Sequence, residues 1–433
     1  MVKKIILLIT GILIVFLTGC IDFNTDKGMK KNSFEGNLYE KEEKLVEGFK
    51  ENYEPIDIVI SSIGDILIHN TLYMAAYNSE ANTYDFKPQF KKVKPFLEKS
   101  DLTVANLEGT LAGGEEGYSG YPLFNAPDNL IEALKFCGID AITAANNHRL
   151  DKGTKGFYRT IEVVRNSGLD IIGVKKVVED KSYIIKNIKG VKVALVNYTY
   201  ETAEQSGYKT LNDIVVPKEL EDKIDSFNKG NLEKDLKVMK ERIEYIKKEG
   251  ADLIIFFMHW GNEYERVPDK LQKALAQKLC DYGVDIIIGG HPHVIQPAEY
   301  IYSNISLKET FVLYSQGNFI SDQREETIKN KYSEDGIITE LYIRKDVNNK
   351  KTYLKEVRFI PTWVNKETGS GKYFYEVVPL LEDIRDSSIK EKYNYYDSTL
   401  KRMENSFKRT SDHIYSFIEK KSIEVFKSKE LNE

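Results

Sequence analysis

From residue 56 onward, short apolar runs alternate with stretches whose apolar residues recur every three to four positions. This is the rhythm of an α/β fold, in which each strand is followed by a helix that packs over it. The runs predict strands over residues 56–63, 102–105, 141–145, 170–174, 192–197, 253–258, 285–288 and 311–314, each mostly β-branched or aromatic. The periodicity between them predicts helices over 86–100, 128–137, 156–167, 231–249 and 268–282. The last two stop at Gly250 and Gly283, a residue type that ends helices because it enters the left-handed region without a Cβ clash.

After Gly336 the rhythm changes. Residues 337–343 and 354–360 alternate with a period of two on either side of Asn348-Asn349-Lys350, which predicts an antiparallel pair. Residues 381–433 read as a charged tail, helical from Asp397 to about Lys427, either packed or solvated. Residues 20–55 are polar and rich in lysine and glutamate, so they read as a tether for a folded domain over residues 56–380.

The N-terminus has its own signature. Lys3 and Lys4 precede an apolar run from Ile5 to Leu17, and Leu17-Thr18-Gly19-Cys20 follows at once. This run of 13 residues falls short of the roughly 20 that a spanning helix needs, which favours an export signal over residues 1–19. The Leu-Thr-Gly-Cys string resembles the bacterial lipobox, which implies that Cys20 is lipidated and becomes the first residue of the mature chain. An extracytoplasmic, membrane-anchored domain is therefore expected. Cys137 and Cys280 sit near the ends of amphipathic stretches and are expected to be buried thiols; spacing leaves a disulfide between them open.

Charge narrows the partners. The formal net charge of −5 becomes −7 once Lys3 and Lys4 leave with the signal, because no acid leaves with them. A diffuse basic surface for nucleic acid is excluded on that balance. A polyanionic ligand would have to be held by a metal or a few lysines, since the overall field repels it.

The candidate chemistry gathers at the ends of the predicted strands. Five of the six histidines lie within, or a few residues after, a motif that ends an apolar run. In open α/β sheets, ligands bind beyond the carboxyl ends of the strands, so such residues can meet in one crevice though far apart in sequence. Asp65 follows the first strand through Gly64, which reads as a tight turn. Asn106 and Glu108, two apart, face the same way in an extended segment and could share an ion. Asn146-Asn147-His148 offers amide oxygens and an imidazole after a run of small apolar residues, with His148 also able to protonate a leaving group. His259 closes a strand of six apolar residues, and Trp260-Gly261 and Glu263 follow. Gly290-His291-Pro292-His293 is the strongest signal, because two imidazoles spaced i and i+2 after glycine can be aimed at two ions, or at one ion and a substrate. Such a mixed nitrogen and oxygen set suits zinc, manganese or iron.

The ordered set of Gly64-Asp65, Asn106-Leu107-Glu108, Asn146-Asn147-His148, His259-Trp260-Gly261 with Glu263-Tyr264, Gly290-His291-Pro292-His293 and Gly317-Asn318-Phe319 resembles the CapA family of poly-γ-glutamate capsule proteins, over roughly residues 56–361. That family is similar to the calcineurin-like metallophosphoesterases. The resemblance implies a four-layer α/β/β/α sandwich of the metallo-dependent phosphatase type, with one or two divalent transition ions at the strand ends. Asp65 and His293 would hold the first ion, Glu108 would bridge, and Asn147, His259 and His291 would hold the second. His148 would be the general acid, and Asn106, Asn146, Glu263, Tyr264 and Asn318 would line the substrate pocket.

Two departures from the phosphoesterase pattern bear on the first ion. Asp65-Ile66-Leu67 lacks the imidazole of an Asp-x-His motif, so His69 or water would have to fill in, and the bridging carboxylate is a glutamate. The expected role divides accordingly. One reading is a lipoprotein that handles poly-γ-glutamate beside membrane-embedded ligase or export subunits. The other is a metal-dependent hydrolase of an envelope polymer or phosphoester.

Overall fold

The structure, a computed structural model, describes residues 53–369, 371–381 and 395–416. The predicted signal over residues 1–19, the lipidation site Cys20, nearly all of the tether over 20–55 and the last part of the tail lie outside the described residues.

Fifteen strands of two large sheets follow one another along the chain: β1 (Ile56–Ile66), β2 (Leu102–Leu107), β3 (Ala141–Thr143), β4 (Asp170–Ile172), β5 (Ile184–Ile188), β6 (Val191–Glu201), β7 (Ser226–Asn228), β8 (Leu253–His259), β9 (Ile286–Gly290), β10 (Ile295–Ser303), β11 (Lys308–Gln316), β12 (Asn318–Ile320), β13 (Asp335–Asp346), β14 (Lys351–Gly369) and β15 (Lys372–Pro379). The longer helices among the described residues are α1 (Asn129–Phe136), α2 (Gly153–Asn166), α3 (Leu232–Lys248), α4 (Lys270–Tyr282) and α5 (Asp397–Ile414).

The first sheet has the order β15-β14-β13-β1-β2-β3-β4, with β12 paired to the end of β1; the second has the order β7-β6-β8-β9-β11-β10, with β5 on β6. Strands β1 to β4 are parallel, as are β6 to β9 and β11, so each sheet presents a row of strand C-termini at one edge. The antiparallel pair expected after Gly336 is present as β13 and β14, and β15 extends it.

Of the four apolar clusters among the described residues, three stack through the two sheets and their helices, and the fourth, with Trp363, Val378, Leu400 and Met403, seats the C-terminal helix. Residues of both sheets, among them Ile58, Ile60, Leu195, Ile255 and Ile343, fill one core between the sheets. Leu130, Leu134, Phe157 and Ile161 of α1 and α2 cover the outer face of the first sheet, and Met239, Ile243, Leu275 and Leu279 of α3 and α4 cover that of the second. Burying each such side chain contributes about 1.5–3 kcal/mol, which is why strands covered on both faces read as unbroken apolar runs.

Several local expectations are corrected. The helix predicted over 86–100 is two single turns, Lys87–Phe90 and Lys94–Leu97, each restarted by a proline, Pro88 or Pro95, which cannot continue the preceding turn. Helix α4 starts later than predicted, at Lys270, because Asp269 caps it: its side chain accepts from the Gln272 N–H at 2.7 Å while Gln272 accepts the Asp269 N–H at 2.9 Å. Gly64 is not a turn, since β1 runs through it to Ile66. A Cβ there would stand 2.0 Å from the Gly317 carbonyl oxygen, so glycine is needed to let two chain segments meet.

Gly64 also marks a register irregularity between Ile63 and Asp65. Ile60 faces the core between the sheets and Ile63 the outer core, as strict alternation requires, yet Ile66 faces the outer core as well. The irregularity has reversed the parity, so Asp65 turns toward the second sheet.

A candidate metal centre where the sheet edges meet

Each candidate side chain sits at or just beyond a strand C-terminus: Asp65 on β1, Glu108 after β2, Asn147 and His148 after β3, His259 as the last residue of β8, and His291 and His293 after β9. The loop after β3 is held by Asn197 of the second sheet. Its side-chain oxygen accepts the N–H groups of Ala144 and Ala145 at 3.0 and 2.7 Å, and its amide nitrogen donates to the Phe257 carbonyl at 3.1 Å. One buried amide thus clips the Asn146-Asn147-His148 segment to β6 and β8. Asn197 ends the predicted run over 192–197, whereas the strand itself continues to Glu201 and carries this amide in its interior.

Glu108 is the hub. It is 1% exposed, and neither carboxylate oxygen has a hydrogen-bond partner among the described residues. Its Oε1 lies 3.5 Å from His259 Nε2 and 3.7 Å from His293 Nε2. Ligand atoms of Glu108, His291 and His293 all lie within 4.8 Å of one another, and so do those of Asp65, Glu108 and His259. The resemblance pairs His291 with His259 and His293 with Asp65. Both pairs are close in the structure, His293 to Asp65 at 3.2 Å and the His259 and His291 ring centroids at 4.8 Å, and Glu108 is common to both groups of ligand atoms.

The remaining contacts orient these groups. Asp65 Oδ2 accepts from the His291 N–H at 3.1 Å and lies 3.2 Å from His293 Nδ1, while its Oδ1 accepts from Asn106 Nδ2 at 2.7 Å. Asn318 Oδ1 is 3.1 Å from the same His293 Nδ1. Two acceptors at Nδ1 assign the proton there and leave Nε2 as the atom that faces Glu108, the usual way a neighbouring carboxylate fixes a ligand imidazole. His259 Nε2 is 2.7 Å from Asn147 Oδ1, so both atoms address one point. His291 Nδ1 is buried with no partner among the described residues.

Electrostatics agree with a site for a cation. Burial would push the Glu108 carboxyl up, but the imidazoles of His293 and His259 outweigh it and hold the group at about 2. Burial, with His259 and His293 beside it, drives His291 well below the usual imidazole range. Burial also pulls on His293, yet Glu108 and Asp65 raise it to about 9. With His293 cationic beside it, Glu108 is balanced by a proton on that imidazole, and a divalent ion bound among these side chains would displace that proton.

His148 stands beside this cluster, with Nδ1 2.8 Å from the buried Asp151 and its ring 4.8 Å from Phe124, edge to face. Asp151 also accepts the Phe124 N–H at 2.6 Å, so the pair is braced. Asp151 is a positioning residue not among the expected set; its signal is the spacing Asn147-His148-x-x-Asp151, which places the carboxylate on the same short helical turn.

The expected pocket residues divide. The Asn106 amide is engaged by Asp65, Thr143 and Asn146, whereas Asn146 donates to Asn106 and to the Leu107 carbonyl and keeps its Oδ1 buried with no partner among the described residues. Asn318 braces His293 and also donates to the Ser333 carbonyl and to Gln323. Glu263 is exposed at the rim, and Tyr264, in the left-handed region at φ 65, lies 6.2 Å from the His293 ring. His69 does not join the cluster: its Nδ1 meets the Asp322 N–H at 3.2 Å. Cys137 and Cys280 are buried and form no disulfide among the described residues.

Comparison with known proteins places these motifs. Residues 59–323 match the family model described as bacterial capsule synthesis protein PGA_cap. The capsule biosynthesis protein CapA of Bacillus anthracis is 30% identical over 279 residues, 61% of this chain and 60% of that protein. The PGA biosynthesis protein CapA of Bacillus subtilis (strain 168) is 27% identical over 267 residues, 61% of this chain and 63% of that protein. The matches thus span less than two thirds of these relatives. Among solved structures, the calcineurin-like phosphoesterase YfkN from Bacillus subtilis aligns over 82% of this chain and 100% of that chain, with a TM-score of 0.36 and 16% identity. The family model spans well over half of the chain and carries every strand-end motif of the cluster, and the chain belongs to the PGA_cap family of bacterial capsule synthesis proteins.

Proposed function

We propose that the protein takes part in making or exporting a poly-γ-glutamate capsule, outside the cytoplasm and anchored through Cys20, and that its metal centre engages the polymer. The observation that carries this reading is Glu108, buried, without a hydrogen-bond donor among the described residues, and facing His259 and His293. The printed roles of the two Bacillus relatives in capsule and PGA biosynthesis support the choice of polymer. Lys3, Lys4, the apolar run to Leu17 and Cys20 support the anchor. Membrane-embedded ligase or export subunits are the expected partners.

Asp65, Glu108, Asn147, His259, His291 and His293 would hold one or two divalent ions, with zinc, manganese or iron favoured by the imidazoles. Such an ion, when bound, polarises a carbonyl or phosphoryl oxygen and supplies a hydroxide nucleophile near neutral pH. The chain's own part is to orient. Asp65 and Asn318 fix the His293 ring, and Asn197 fixes the loop carrying Asn147.

A second reading, a hydrolase acting on an envelope polymer or phosphoester, is favoured by the His148 and Asp151 pair, whose 2.8 Å contact holds an imidazole ready to move a proton at a leaving group. One experiment separates the two. The full chain, loaded with zinc or manganese, is incubated with poly-γ-glutamate and with generic phosphodiesters, and both binding and cleavage are followed. Polymer binding without cleavage supports the first reading. Metal-dependent cleavage of the polymer or of a phosphoester supports the second, and neither binding nor cleavage contradicts both.

A further inference from the structure

Beside the candidate centre, a cleft of about 710 Å³ opens along the end of β6 and the turn after β7. Its inner wall is Tyr200, whose ring is stacked 6.4 Å from that of His259 and lies 4.7 Å from that of His291. Over the Tyr200 ring, 4.0 Å from its centroid, stands Lys229 Nζ. The ammonium is therefore within about 9 Å of the His291 ring. Among the described residues no carboxylate lies within 4.0 Å of it, so the cation is positioned by an aromatic face and feels Asp269 only at longer range.

The rest of the cleft has the opposite sign. Glu201, Glu204 and Asp213 line it. Glu201 is partly neutralised by Lys209 at 3.2 Å, and Glu204 accepts from Asn228 at 3.1 Å, which leaves Asp213 and Glu204 as the net anionic wall. A chain of like-charged carboxylates would be repelled there. A group carrying a carboxylate and an ammonium a few ångströms apart would be matched at both ends.

We propose that this cleft binds the amino-terminal residue of a γ-linked glutamyl chain, with its α-carboxylate on Lys229 and its α-ammonium toward Glu204 and Asp213. The inference rests on the reading of the protein as a poly-γ-glutamate protein and adds which part of the polymer is recognised. In a γ-linked chain every interior residue has an α-carboxylate and an acylated nitrogen, and the carboxyl-terminal residue has two carboxylates. Only the amino-terminal residue carries both charges on one carbon. From that carbon three C–C bonds of about 1.5 Å reach the γ-carbonyl, roughly 4 Å away. A head group held at Lys229 thus leaves its first γ-amide on the scale of the distance that separates the ammonium from the His291 ring.

The test uses the metal-loaded full chain and two probes, the γ-linked trimer of glutamate with a free amino end and the same trimer N-acetylated, with affinities measured by calorimetry. The free trimer binds at least about tenfold more tightly than the acetylated one, the scale of one charge-assisted contact. K229A weakens the free trimer by about tenfold and K229R restores most of the loss. E204Q with D213N removes the discrimination between the probes. Equal affinity for both probes, or no effect of K229A in a protein of unchanged circular dichroism, overturns the proposal. If long poly-γ-glutamate still binds in that case, only the head-group assignment falls; if no γ-glutamyl probe binds at all, the polymer reading falls with it.

Discussion

Asp65 and His291 lie 226 residues apart and belong to different sheets, and the Asp65 carboxylate accepts the His291 backbone N–H at 3.1 Å. His291 sits at φ 94, a conformation that L residues rarely adopt, and His293 follows at φ 57. Strain of this kind costs about 1–3 kcal/mol per residue and persists only where surrounding contacts impose it. Asp65 supplies that contact, so one carboxylate both ties the sheets together and aims the two imidazoles.

Removing it should therefore be costly even without metal. Asp65→Ala strips an acceptor from the His291 N–H, the His293 imidazole and the Asn106 amide at once. Leaving buried donors unsatisfied costs about 1–3 kcal/mol each, so a total loss of about 3 kcal/mol is expected in urea denaturation of the metal-free protein. A loss below about 1 kcal/mol would show that the loop holds its shape by other means.

How far this site was legible follows from where its residues stand. His259, His291 and His293 close apolar runs, and a strand end is a place that pattern alone reveals. Asp65 was legible as a candidate but not the reason for its orientation, because a register irregularity leaves no trace in composition. Asn197 and Asp151 escaped for different reasons. Asn197 contacts residues 52 and 53 positions away across the sheets, a relation that only the folded chain creates. Asp151 acts through His148 and looks in sequence like any acid after a helical turn. The failure at residues 86–100 was one of competing signals, with apolar spacing read as a helix where Pro88 and Pro95 break it.

Asp151 offers a test of the hydrolytic reading. Asp151→Asn keeps the size of the side chain but removes the charge that braces His148. Metal content measured by elemental analysis should stay at the wild-type level while turnover of a cleavable phosphodiester or γ-glutamyl probe falls by about 10²-fold, a typical share for general acid catalysis. Unchanged turnover would remove His148 from the chemistry.

His69 makes stability depend on pH. Burial holds its imidazole down at about 4, against the opposing pull of Asp322. The folded value lies below the unfolded value of about 6.5, so as pH falls the unfolded chain takes up the proton first. The stability contribution is complete above pH 6.5, is lost as the pH falls from there toward 4, and changes no further below that. The loss is on the order of 3 kcal/mol. Denaturation midpoints of His69→Gln should show a shallower fall over this window than the wild type; identical slopes would contradict the assignment.

The C-terminal helix α5 is a structural part of the domain. Arg409 donates to the Asp335 carboxylate through Nε and Nη2, Arg402 donates to Glu334 at 2.7 Å, and His413 meets the Arg266 carbonyl at 2.8 Å. Asp335 and Glu334 are 3% and 2% exposed, so losing a partner leaves a buried charge. Arg409→Ala should destabilise the protein by about 3 kcal/mol and lower its melting temperature by several degrees in calorimetry. A shift of less than a degree would mean that the helix packs through its apolar face alone.

The metal centre itself is tested most directly by elemental analysis of the full-length wild type and of Glu108→Gln, each exposed to zinc or manganese and then dialysed. Glu108→Gln keeps the shape at the hub but removes the charge shared by both groups of ligands. The account predicts at least one ion per wild-type chain and a loss of most of it in the variant, with circular dichroism unchanged. A folded wild type that retains no ion, or a variant that retains as much as the wild type, would contradict it.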